Sequence, residues 1–147
     1  AHEPEHAEKS AIEIGRRGRS RVIEGVRTDR EAWAAVSAAL RSSDRPRALI
    51  TASTNMTVGA LRAMRDLGVK TPDDVALISF DELPYADVFS PQITSVVQPA
   101  AEIGRQAVRL LFRRLREPDA QPQTIRLKPR IAHRLSCGCN GMPSSFS

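Results

Sequence analysis

The sequence predicts an α/β fold built on an open parallel sheet with helices on both faces. Three observations carry that prediction. Short apolar runs at residues 48–52 and 75–80 have the length and composition of buried strands. Between and before them lie amphipathic stretches of helical period, with short links. A strand–helix–strand–helix–strand order with such links is the signature of parallel βαβ units. The run at 75–80 also ends on a carboxylate, Asp81. At the carboxyl edge of an open α/β sheet, that is where such folds bind small molecules.

The elements follow in order. Ala7, Ala11 and Ile14 fall at i, i+4 and i+7 and predict a helix over 5–17, stopped by Gly15 and Gly18 among Arg16, Arg17 and Arg19. Residues 21–26 read as a short strand. Thr28 and Glu31 form a capping box that opens a helix with Trp33, Val36 and Leu40 on one apolar face, ended before Pro46. Residues 48–52 form a strand apolar on both faces, and Ser53-Thr54-Asn55 link it to a helix running to Leu67. That helix points Val58, Leu61, Met64 and Leu67 inward and stops at Gly68.

Beyond Asp81 the texture changes. Residues 82–91 form a loop that holds Tyr85 and Phe89 between Pro84 and Pro91, and 93–97 form a strand. Pro99 opens a helix that buries Ile103, Ala107, Leu110 and Leu111 and displays Arg105, Arg109, Arg113 and Arg116. Residues 124–127 alternate as a strand should, 131–135 form a weaker one, and 138–147 read as a loose tail.

Composition narrows the function classes. A chain of 147 residues with 41% apolar and 27% charged content forms one ordinary soluble domain. No apolar run reaches the length of a membrane span. The opening residues are polar and partly acidic, unlike an export signal, and the absence of an initiator Met suits a chain trimmed or cut from something longer. The net charge of +5 reads as Arg on solvated helix faces. A single-strand nucleic-acid groove needs aromatics among its cations, and here they make up only 4%, with Trp33 and Phe80 in patterns that look buried. Cys137 and Cys139 form a lone Cys-x-Cys, short of a zinc ligand set, and His2, His6 and His133 lack metal spacing with nearby acids. The expectation is reduced thiols in a cytoplasmic protein, with no metal and no cofactor.

Few residues are placed to carry chemistry. Asp81 can accept two hydroxyl hydrogens at once, which suits a sugar or ribose; from position alone it fits a solvated loop acid equally well. Ser53, Thr54 and Asn55 sit where side chains cap a helix and free amides can face a polar ligand, and capping alone would explain them. No nucleophile elbow, phosphate-cradling loop or metalloprotease motif occurs, which argues against an enzyme. Residues 35–42 echo a DNA-recognition helix, but a strand-like stretch precedes them where a helix-turn-helix needs a helix.

The order of motifs carries a resemblance. Ile50-Thr51-Ala52 with Met56 and Gly59-Ala60-Leu61, then Ile78-Ser79-Phe80-Asp81, then Ser90-Pro91, Thr94-Ser95-Val96 and Gln98-Pro99, resemble the effector-binding half of lactose-repressor/galactose-repressor (LacI/GalR) transcription regulators. The resemblance covers about residues 20–138. It implies a periplasmic-binding-protein-like lobe plus a crossover helix and strands of a second lobe, without the helix-turn-helix headpiece or most of the first lobe. It divides the chain into a crossover helix or partial segment (1–19), the second lobe (20–92), a crossing segment returning to the first lobe (93–138) and a tail (139–147).

By the same resemblance Asp81, Ser53, Thr54, Asn55, Gln98 and Arg27 are effector-binding positions. Ser53-Thr54 replace an Asn-Asp or Asn-Asn usual in the family, and no Arg stands near Pro4 where a ligand-binding one is expected. The implied partners are a small effector (a sugar, sugar phosphate or purine-like metabolite), a second copy in a homodimer, and operator DNA through a headpiece absent from this chain. The alternative is a sugar-binding receptor of a transport system. With the first lobe missing, the face around Ile103, Ala107 and Leu111 is expected to be exposed and prone to association.

Overall fold

The computed structural model describes residues 11–16, 19–86 and 88–139. Strands β1 (Ala11–Arg16) and β2 (Arg19–Glu24) precede helix α1 (Asp29–Arg41), strand β3 (Ala48–Thr51) and helix α2 (Thr54–Asp66). Strands β4 (Ala76–Phe80) and β5 (Thr94–Val97), helix α3 (Ala100–Arg116) and strand β6 (Arg130–Ala132) follow, and a 3₁₀ turn (Leu135–Cys137) closes the described chain. The strands form one sheet in the order β2-β1-β3-β4-β5-β6. Its centre, β3-β4-β5, is parallel as the βαβ pattern requires, while β1 and β6 run antiparallel to their neighbours.

The helix expected over 5–17 is not formed where it can be seen: residues 11–16 are strand β1, and residues 5–10 and 17 lie outside the described residues. Ile12 and Ile14 flank Glu13 with a period of two, and that alternation prevails over the helical spacing of Ala7, Ala11 and Ile14. Pairing decides the contest. β1 sits between β2 and β3, and Ile12, opposite Ile23 and Thr51, is fully buried.

α1 begins at the expected capping box: Glu31 N–H donates to Thr28 Oγ1 at 3.2 Å, and Glu31 Oε2 accepts from the backbone of Thr28 and Arg27. α2 ends in a paired 6→1 and 5→2 turn, Val69 N–H to Met64 O and Gly68 N–H to Arg65 O, with Gly68 at φ 66°. The two helices touch at Gly59. A Cβ there would lie 2.3 Å from Asp29 O and 2.6 Å from Ala32 Cβ, so only glycine permits this approach.

Trp33 is not core, as its spacing suggested, but 37% exposed, its Nε1–H bonded to Asp66 Oδ2 at 2.9 Å. That hydrogen bond joins α1 to α2 from outside. In α2 the inward face is rotated from the expected one: Met64 is buried as expected, with Met56, Thr57, Gly59, Ala60 and Ala63, while Val58, Leu61 and Leu67 are half-buried.

α1 and α2 share one core with Ile12, Leu49 and Leu77 on one face of the sheet. The opposite face is open. Register aligns Val22 with Ile50 through position 13, Ile50 with Ile78, and Phe80 with Val96 and Ile131. Ile50 is 41% and Phe80 38% exposed, against the expectation that both were buried. α3 is strongly amphipathic yet has no buried residue, so Ile103, Ala107, Leu110 and Leu111 are not packed as a core face. Residues 124–127 form no strand; the pattern is present but no neighbouring strand pairs with it among the described residues. The weaker strand expected at 131–135 is β6, displaced to Arg130–Ala132.

Candidate functional site

β2 and β3 are both antiparallel to β1, so β2, β3, β4 and β5 all point the same way. Their carboxyl ends therefore share one edge, and each expected ligand position follows one of those ends. Arg27 follows β2, Ser53-Thr54-Asn55 follow β3, Asp81 follows β4 and Gln98 follows β5. The fold thus collects on a single edge residues that span 72 positions of sequence, from 27 to 98.

Asp81 and Gln98 meet directly. Gln98 Nε2–H donates to Asp81 Oδ1 at 2.7 Å. A carboxylate only accepts, so the amide nitrogen must face it, which leaves Gln98 Oε1 as an outward acceptor. Asp81 holds a left-handed backbone, φ 71°, and its N–H continues the β4–β5 ladder by donating to Val96 O at 3.0 Å. Asp is among the few residues that tolerate this conformation. One carboxylate oxygen is thus fixed by Gln98, and the other, Oδ2, is without a hydrogen bond among the described residues.

The other positions contribute differently. Ser53 caps α2: Met56 N–H donates to its Oγ at 3.4 Å, and Thr57 N–H to its carbonyl at 3.0 Å. Thr54 is half-buried at the first turn and Asn55 is exposed. Arg27 is exposed, and its guanidinium has no hydrogen-bonded partner among the described residues. Its backbone N–H, with that of Thr28, bonds Glu31 and holds that carboxyl below its usual 4.5. Of the two loop aromatics, Phe89 packs against the core, while Tyr85 is 79% exposed.

A feature not anticipated from the sequence lies beneath the edge. Thr51, Thr57 and Ser79 are fully buried hydroxyls on β3, α2 and β4. Thr51 Oγ1 and Thr57 Oγ1 are 2.6 Å apart, Thr57 Oγ1 and Ser79 Oγ 2.8 Å, and Ser79 Oγ lies 2.9 Å from the Asp81 carbonyl. Each hydroxyl has one hydrogen, and donation from Thr51 to Thr57 to Ser79 to the Asp81 carbonyl satisfies every link. Thr57 Oγ1 is also 3.0 Å from the Ser53 carbonyl. Thr57 has one hydrogen, which goes either to Ser79 or to the Ser53 carbonyl, and the buried hydroxyls sit beneath both the Ser53 and the Asp81 loops. The signal was a hydroxyl at an inward position of each of three adjacent elements.

A groove of about 340 Å³ lies between α3 and residues 120–123. Among the described residues, His133, Cys137 and Cys139 are the one group of metal-ligating type that gathers, and they do so at the edge opposite Asp81. Burial raises the Cys137 thiol, and hydrogen bonds from Cys139, Thr94 and His133 outweigh it and bring it down to about 7.

Comparison with known proteins adds identity to this geometry. A family model described as a periplasmic binding protein-like domain matches residues 6–137. The transcriptional repressor PurR of Mannheimia succiniciproducens is 31% identical over 115 residues, covering 78% of this chain and 34% of that protein. The ribose operon repressor of Haemophilus influenzae is 32% identical over 101 residues, covering 69% of this chain and 30% of its own. Among solved structures, the complex of the transcriptional regulator CelR with cellobiose superposes with a TM-score of 0.69 at 32% identity, over 76% of this chain and 34% of that one. The chain spans about a third of the length of the curated relatives it matches.

Proposed function

We propose a function from one premise: the chain belongs to the periplasmic binding protein-like domain family, in the form that domain takes in LacI/GalR regulators. It is the effector-sensing half of a transcription regulator and performs no catalysis. The observation that carries this reading is the Gln98–Asp81 hydrogen bond at the edge where four like-directed strands end. A polyhydroxylated metabolite donates a hydroxyl to Asp81 Oδ2 and a second to Gln98 Oε1. Arg27 and the polar run Ser53-Thr54-Asn55 flank it. The relatives named for ribose and cellobiose favour a sugar, with a sugar phosphate or purine-like molecule within the same chemistry.

In the parent protein, residues 20–92 form the second lobe and 93–138 cross back to the first, with 1–19 and 139–147 as flanking segments. The effector lies between the lobes and favours one arrangement of them, and that arrangement sets how paired headpieces engage operator DNA. The exposed apolar side of α3 fits the first lobe or a second copy in a homodimer, in the cytoplasm. DNA is contacted only through a headpiece outside this sequence. No helix among the described residues is long and apolar enough to cross a membrane.

The test is a nuclear magnetic resonance titration of the chain with ribose, cellobiose, a hexose phosphate and hypoxanthine at millimolar concentration. One of them should shift the Asp81 and Gln98 backbone amides, and Asp81→Asn should abolish that response. If no compound moves these amides, or the shifts centre on another edge of the sheet, the assignment fails.

A further inference from the structure

Three side chains of metal-ligating type converge at the edge opposite Asp81. β6 is antiparallel to β5, so the chain leaves β6 beside the amino end of β5. There the Nδ1 of His133 stands 4.0 Å from Cys137 Sγ, and the ligand atoms of His133, Cys137 and Cys139 all lie within 4.8 Å of one another. The Cys139 N–H donates to Cys137 Sγ at 3.3 Å, which brings the second thiol back over the first.

The backbone that carries them is fixed. Ser136, fully buried between the two outermost ligands of the turn, donates to Leu77 O at 2.6 Å and accepts from Thr94 N–H at 2.8 Å. Its own N–H reaches Gln92 O at 3.1 Å. Arg134 is 9% exposed, donates to Ile93 O at 2.8 Å and pairs with Glu82. His133 and Cys137 therefore flank residues that cannot move without breaking buried hydrogen bonds. Gly138, at φ 65°, makes the left-handed turn that returns Cys139, and its α-carbon faces Pro72 so closely that a Cβ would sit 3.3 Å from the proline.

We propose that His133, Cys137 and Cys139 form a site for a thiophilic closed-shell cation of the Zn²⁺ type, with three protein ligands and a fourth position open to solvent. Two soft thiolates and an imidazole are the donor set such ions select. Zinc–sulfur and zinc–nitrogen bonds of about 2.3 and 2.0 Å place tetrahedral ligands roughly 3.5–3.8 Å apart. The trio needs only a small contraction to reach that spacing, which rotation of the exposed Cys139 and His133 side chains supplies. Each thiol that ligates releases its proton to solvent. The single Cys-x-Cys falls short of a zinc motif in sequence because its third member lies four residues before Cys137, across a 3₁₀ turn rather than along a helix.

The experiment is an anaerobic titration of the reduced chain with Co²⁺, followed by displacement with Zn²⁺. A thiolate-to-cobalt charge-transfer band should grow to one ion per chain and vanish as Zn²⁺ is added. His133→Ala and Cys139→Ser alter exposed side chains and should retain the native circular dichroism while each weakens Zn²⁺ binding by roughly a hundredfold. The double variant Cys137→Ser/Cys139→Ser should show no band at all. Absence of the band in the unaltered chain, an affinity indifferent to His133→Ala, or a band that persists in the double variant would each overturn the site.

Discussion

α2 and α3 are both amphipathic helices that follow a strand of the same sheet, yet one is half interior and the other wholly surface. α2 lies across β3 and β4 and against α1, with six buried residues, Thr57 and Gly59 among them. α3 has none: Val108, Leu111, Phe112 and Leu115 are each more than half exposed. The sheet repeats the contrast, since Leu49 and Leu77 are covered while Ile50 and Phe80, one residue on from Leu49 and three from Leu77, are open. An apolar stripe records that a partner surface is intended; it does not say that the partner is in the same chain. Here no element among the described residues covers α3 or the open sheet face.

That contrast can be broken most forcefully at Gly59. Gly59→Val forces side-chain atoms into the Asp29 carbonyl and Ala32, separating α1 from α2; a loss of at least about 3 kcal/mol by urea denaturation is expected. Thr57→Val, of nearly equal shape, keeps the helix packing and removes the middle of the hydroxyl relay. It should cost about 1–3 kcal/mol, and amide exchange at Asp81 should quicken along with it. The smallest change in stability is expected on the exposed helix. Leu111→Glu should shift the unfolding free energy by no more than about 0.5 kcal/mol, yet lower self-association in sedimentation velocity runs. If Leu111→Glu instead destabilised the chain as strongly as Thr57→Val, α3 would have a partner within it after all.

How much of this was legible in the sequence depends on how local the cause is. The capping box at Thr28 and the stop at Gly68 are set by residues within one turn, and both form as read. The parallel centre of the sheet was legible because each βαβ unit advertises its period and its links. β1 was not, because Ile12 and Ile14 become a strand only when β2 and β3 supply hydrogen-bond partners, and a competing helical spacing ran through the same residues. Trp33, Ile50 and Phe80 look buried to any scheme that assumes each apolar face is covered.

The candidate site divides along the same line. The strand-end rule locates Asp81, and the resemblance adds Gln98, but their bond joins residues 17 apart whose meeting depends on the β4–β5 register. Ser53 shows the reverse: its helix-capping role is local, is legible from its position before the helix, and is what the structure forms. The hydroxyl relay was out of reach because Thr57, read alone, is an ordinary polar residue of a helix. It acquires meaning only between Thr51 and Ser79.

Ser136 has a consequence in time as well as in space. Its bond to Leu77 spans 59 residues, and the one its carbonyl accepts from Thr71 spans 65. On a ribosome β3, α2 and β4 emerge well before the residue that satisfies the Leu77 carbonyl. Until it arrives, the amino end of β5 also lacks the acceptor for Thr94 N–H, so that border of the sheet stays hydrated and unsealed. Completion of the sheet is thus a late, long-range event, slow in the way that distant contacts are slow. The nascent chain exposes an unfinished strand border for that interval, and synthesis of the last segment ends the exposure.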